Sequence, residues 1–97
     1  MILSKHEENN TIECLYDSTN ILASKYLPDE KKLAIIFKSG TQYVYFDVKN
    51  EDYRKFEISK SQGKVMNSVI KKYSYTKSTV IVDVSPIMEQ IKNLKNE

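Results

Sequence analysis

The chain has one cysteine, one histidine and no tryptophan in 97 residues. Cys14, standing alone, cannot close an internal disulfide. With His6 as the only imidazole, no Cys, His, Asp and Glu set has ligand spacing. No metal and no other cofactor is expected. Only two glycines are present, Gly40 and Gly63, so no glycine-rich phosphate loop is possible. Long apolar runs are missing too. The longest, Leu33 to Phe37, is five residues, against the roughly 20 that a membrane-spanning helix needs. The opening "MILSKHEENN" lacks the apolar core of a signal peptide. A cytoplasmic protein that does not enter a membrane is expected. No nucleophile stands in a pattern with a base: His6 and Cys14 lie eight positions apart in an acidic stretch. No catalytic residue is expected, and the chain reads as non-enzymic.

Arginine is the remaining scarcity. Fourteen of the fifteen basic residues are lysine, which lacks the bidentate fork of the guanidinium. What is present is a globular composition, 40% hydrophobic and 29% charged, and of single-domain length. The net charge of +2 is unevenly spread. Residues 54–77 hold seven basic residues and one acid, whereas the first 30 hold six acids and two lysines. The basic block is a weak footprint for a polyanion; a solvated lysine face would look the same.

Residues 1–10 are polar and read as frayed. "TIECLYD" alternates Ile12, Cys14 and Tyr16 and reads as a short strand. "NILASKYL", "KLAIIFK" and "TQYVYFDV" follow, separated by "PDEK" and by "SG" at 39 and 40. They read as three antiparallel strands in a meander. Taking Ser39-Gly40 as a two-residue loop sets Ile36 opposite Tyr43, Ile35 opposite Val44, Ala34 opposite Tyr45 and Leu33 opposite Phe46. Leu22, Ser24, Tyr26, Leu33, Ile35, Phe37, Val44 and Phe46 then share a core face. Ile21, Ala23, Lys25, Ala34, Ile36, Lys38, Thr41, Tyr43 and Tyr45 share the other. A loop one residue longer would exchange the faces of the third strand.

After Asp47 the period becomes helical. "NEDYRKFEI" reads as a short helix with Asn50 as its cap. "SQGKVMNSVIKKY" reads as a second, with Val65, Met66, Val69, Ile70 and Tyr73 on one stripe. Such a stripe is core packing before it is anything else. "STVIVDV" at 78–84 reads as a further strand. Ser85-Pro86 then starts a helix with Ile87, Ile91 and Leu94 on one side. The fold class is α+β: a meander of three to four strands, two helices on one face, and a C-terminal strand and helix.

Eleven positions, in order, are Ser18, Asn20, Ile21, Gly40, Tyr43, Tyr45, Ser61, Gly63, Asn67, Ile70 and Tyr73. The set resembles the KTSC domain, a small module named after the C-terminus of some lysyl-tRNA synthetases. It also occurs as stand-alone bacterial and phage proteins. Val65-Met66 departs from the pattern, which carries an aromatic pair before the Asn. The resemblance divides the chain into an extension over 1–15, partly disordered or a short strand, a KTSC-like domain over 16–75 and an elaboration over 76–97. The function of the family is regarded as unknown, with RNA binding proposed from the synthetase context.

Two functional readings follow. In the first, a non-catalytic module binds RNA or another single strand. Tyr43 and Tyr45 are its stacking face, and Lys25, Lys38, Arg54, Lys64, Lys71 and Lys72 its phosphate contacts. Against it stands plain packing of both tyrosines under the C-terminal helix. In the second, the module binds a protein partner, including a host protein if it serves a phage, or forms a homodimer. Pairing through "STVIVDV" is the route considered. Ser61, Gly63 and Asn67 are read as helix-entry and capping residues, with Asn67 bonding a neighbouring loop.

Overall fold

The structure is a computed structural model and describes residues 1–96. Six strands form one antiparallel sheet in sequence order. They are β1 (Ile2–Glu8), β2 (Thr11–Tyr16), β3 (Ile21–Leu27), β4 (Lys32–Phe37), β5 (Gln42–Tyr45) and β6 (Tyr75–Lys77). Between β5 and β6 come α1 (Asn50–Ile58), α2 (Gln62–Ser68) and a 3-10 turn, Ile70–Lys72. The chain ends in α3 (Ser85–Lys95). The α+β class is as expected, and the sheet is wider than expected.

The extra width comes from both ends. Residues 2–8 are a paired strand, not a frayed extension. The reason is the turn: Asn9 and Asn10 both take positive φ, 52° and 56°, with Glu8 opposite Thr11. That is the conformation a two-residue type I′ hairpin requires, and Asn tolerates it best after Gly. At the other end the strand is Tyr75–Lys77, and residues 78–84 are irregular. Here side chains and a loop take the backbone donors. Val80 N donates to Ser78 Oγ (3.2 Å), Val82 N to Gly40 O (2.8 Å) and Ser85 N to Asp83 Oδ1 (3.0 Å).

The β4–β5 loop holds three residues, not two. Phe37 N donates to Thr41 O (3.0 Å), Gly40 N to Phe37 O (2.9 Å), and Gly40 has φ 87°. This is a type I turn followed by a left-handed glycine. A two-residue hairpin turn would put Ser39 at positive φ, a conformation disfavoured without Gly, Asn or Asp. The register therefore moves by one: Leu33 faces Tyr45, Ala34 faces Val44 and Ile35 faces Tyr43. Tyr43 and Tyr45 lie on the core face, and Val44 on the opposite one. A bulge between Ile21 and Ala23 makes a second correction. It sends Ile21 into the main core and Leu22 to the other side.

The main core joins Cys14, Tyr16, Ile21, Tyr26, Leu33, Ile35 and Tyr45 to Tyr53 and Phe56 of α1, Met66 of α2 and Ile70. Tyr26 and Tyr53 stack with centroids 4.1 Å apart. Ser24, on the same face, is satisfied by Tyr16 Oη at 2.8 Å. On the opposite face α3 packs Ile87 and Ile91 against Leu22, Ala23, Leu15 and Ile36. So α3 covers the sheet's second face and does not cross the tyrosine pair.

Helix entry is partly as expected. Ser61 Oγ accepts from Lys64 N (3.4 Å), capping α2. Asn50 does not cap α1: Lys49 holds that position and no side chain closes it. Likewise α3 has no side-chain cap from Ser85.

Candidate nucleic-acid interface

At one end of the sheet the core face is left open by the helices. The gap is a cleft of about 480 Å³. Its floor is aromatic. Tyr43 sits edge-on to Phe37 (5.6 Å, 85°) and to Tyr75 (5.4 Å, 71°), and Tyr45 lies 5.6 Å from Tyr75. The three tyrosines differ in exposure. Tyr45 is 6% exposed and serves as wall, Tyr43 is half-buried, and Tyr75 is 57% exposed. Burial pushes the Tyr45 phenol up to about 12, with Tyr43 and Tyr75 adding to the shift, so it stays a neutral donor.

Two loops and one helix make the rim. Lys38 N donates to Asn20 O (2.8 Å), tying the β4–β5 loop to the segment before β3. Ser18 Oγ accepts from Ile21 N (3.4 Å) and shapes that segment. The rim then carries Asn20, Lys38, Ser39 and Thr41 on one side, and Met66, Asn67 and Lys71 on the other. Among the described residues no carboxylate lines the cleft. Among the described residues, Lys38 and Lys71 form no ion pair, and the side-chain amides of Asn20 and Asn67 bond no protein group. Asn67 therefore faces the opening rather than bonding a loop. The arrangement offers π-faces, free amides and unpaired cations to a planar anionic ligand.

Gly40 is needed here twice over. Its φ is left-handed, and a Cβ would sit 2.6 Å from Val82 O and 2.7 Å from Ile81 Cγ2. Gly63 has open space around it, so neither strain nor close approach accounts for it.

The other sequence candidates stand apart. Lys25 lies on the α3 side of the sheet, 3.9 Å from Glu13. Arg54 and Lys64 are exposed on α1 and α2, outside the cleft. Lys72 is 3.2 Å from Asp52, which also accepts from Tyr73 Oη and lies 3.7 Å from Lys55. The Tyr73 hydroxyl, then the lysines, hold the Asp52 carboxyl below its usual range. Lys49 N donates to the same phenol at 3.2 Å, so this group locks α1 to the 3-10 turn. Phe37, read from the sequence only as core, and Tyr75, whose ring the sequence favours as packing, both line the cleft. Tyr75 announces itself only by pairing with Tyr45 across β5 and β6.

A second polar cluster lies deeper in the core. Lys5 Nζ binds Glu57 Oε1 at 2.8 Å, and Glu57 Oε2 has no partner among the described residues. Cys14 Sγ is 3.6 Å from Tyr53 Oη, and burial pushes the thiol up. Among the described residues no three His, Cys, Asp and Glu side chains gather as a metal site. No described helix is long and apolar enough to cross a membrane.

No curated protein matches the chain. Among solved structures, a KTSC domain protein of Yersinia pestis superposes with a TM-score of 0.66 at 29% identity. The match covers 70% of this chain and 97% of that one. The KTSC domain family model matches residues 17–75, from just before the loop that carries Asn20 to the first residue of β6. The chain belongs to the KTSC domain family.

Proposed function

We propose that the protein binds single-stranded nucleic acid, RNA in preference, by seating a base on the aromatic floor and phosphates on Lys38 and Lys71. The cleft that joins Tyr75 and Tyr43 to Lys38 and Lys71, with no carboxylate or ion pair among its described residues, carries the reading. Stacking on an exposed ring contributes about 1–3 kcal/mol per base. The hydroxyls and amides of Asn20, Ser39, Thr41 and Asn67 supply partners for a ribose 2′-hydroxyl or a base edge. A cytoplasmic location belongs to this reading, supported by a single, buried, unpaired cysteine.

The test is fluorescence anisotropy with labelled single-stranded RNA and DNA across a salt series. Two phosphate contacts give a log–log salt slope of about −1.4. Tyr75→Ala should weaken binding roughly 5- to 150-fold, the equivalent of that stacking energy. Absent or salt-independent binding, or a folded Tyr75→Ala variant that binds like the wild type, overturns the reading.

One observation favours a protein partner instead. Val80 and Ile81 are 68% and 63% exposed in the segment after β6. Edge-to-edge dimerisation has less support. The β1 edge carries Lys5, His6, Glu7 and Glu8, and β6 is three residues long, both of which oppose strand addition. Light scattering checks this: a dimer that Val80→Asp and Ile81→Asp dissolve would favour the second reading.

A further inference from the structure

We infer that the bound strand continues past the aromatic cleft, around the end of the sheet, into a second subsite under α3. The inference rests on the nucleic-acid reading above. A groove of about 350 Å³ lies between α3 and the segment before β3. Its apolar surface is Leu22, Met88 and Ile91. Met88 is 46% exposed there, a polarisable thioether open to a flat ring. Its cations are Lys38, Lys92 and Lys95.

Continuity with the first site is structural. Lys38 lines both clefts. The segment before β3 also serves both, giving Asn20 to one and Ser18 to the other. A chain leaving the tyrosines over the β4–β5 loop meets Lys38 first and Lys92 next. Among the described residues Asp17 is the one carboxylate in the groove, and Lys95 Nζ pairs with it at 3.2 Å. Among the described residues Lys38 and Lys92 form no ion pair, so both remain available to phosphate. Two unpaired lysines beside an apolar floor give this groove, like the first cleft, a place for a phosphate next to a flat apolar surface. The helix that supplies the second subsite lies outside the residues matched by the family model. The footprint it adds is therefore particular to chains with such a helix.

The test compares oligouridylates of about 4 and about 12 nucleotides, within the span of known single-strand site sizes. Full-length wild type, Lys92→Glu, Lys92→Ala and Lys38→Glu proteins are used, each checked for folding by circular dichroism. The wild type should bind the longer oligomer more tightly. Both Lys92 variants should lose that length advantage while keeping the affinity for the shorter one. Their salt slope on the longer oligomer should flatten by about 0.7, one phosphate contact. Lys38→Glu should weaken both lengths. Unchanged binding of the longer oligomer by the Lys92 variants overturns the second subsite and leaves the first intact. Equal weakening of both lengths marks a diffuse charge effect and overturns it as well. If the wild type binds neither oligomer, the nucleic-acid reading fails and this inference with it.

Discussion

Replacing Tyr45 and Tyr75 separately by alanine tests the strand register on which the site depends. The two rings are cross-strand partners on one face, 5.6 Å apart, yet 6% and 57% exposed. Tyr45→Ala empties a core position beneath the helices and should cost about 3–5 kcal/mol. For a domain of this size each kcal/mol lowers Tm by about 4–8 °C, so the fall is roughly 12–40 °C. Tyr75 has less than half its surface to lose, and Tyr75→Ala should cost about 1–2 kcal/mol. Urea titration followed by tyrosine fluorescence and circular dichroism measures both. Tyr45→Phe is the control: among the described residues the phenol bonds no protein group, so its loss should cost under about 1 kcal/mol. Had the β4–β5 loop held two residues, Tyr45 would face the opposite side and Val44 the core. A Tyr45→Ala variant no less stable than Tyr75→Ala would therefore refute the register and the cleft built on it.

Two further perturbations probe the supports of the site. Asp52 has a folded-state pKa below its unfolded one, so the unfolded chain binds more protons in the window between them. The stability Asp52 contributes is present above its unfolded value of about 3.9 and is lost as pH falls through the lowered folded value. Asp52→Asn should lower stability at neutral pH and flatten the acid limb of a Tm-against-pH curve; an unchanged limb would refute the lock. Gly40→Ala combines a strained φ with a clash against Val82 O and should cost more than about 1 kcal/mol. A neutral Gly40→Ala variant in thermal unfolding would mean that the three-residue loop is wrong.

Much of the fold was legible in the residues because it is local. The periods of "KLAIIF" and "NEDYRKFEI" mark β4 and α1, and Ser61 marks the start of α2. The ordered family positions are equally visible. Asn9-Asn10 also carried a hairpin signal, obscured by the polar, charge-rich strand before it. Residues 78–84 show the converse. Their β-branched pattern suits a strand, but Ser78, Asp83 and the Gly40 carbonyl take their donors.

By itself, the sequence determined the class, the helices, the helix-entry serine and part of the cleft lining, Tyr43, Tyr45, Lys38 and Lys71. Which way the tyrosines point was decided only in three dimensions. One extra residue in the β4–β5 loop turns Tyr43 and Tyr45 from the α3 face to the core face, because side chains alternate along a strand. The same holds for what surrounds them. Asn20, Lys38, Asn67, Lys71 and Tyr75 lie far apart in the chain and meet only where the helices stop short of the sheet's end. That gap depends on how much of the face α1 and α2 cover, which no local pattern encodes.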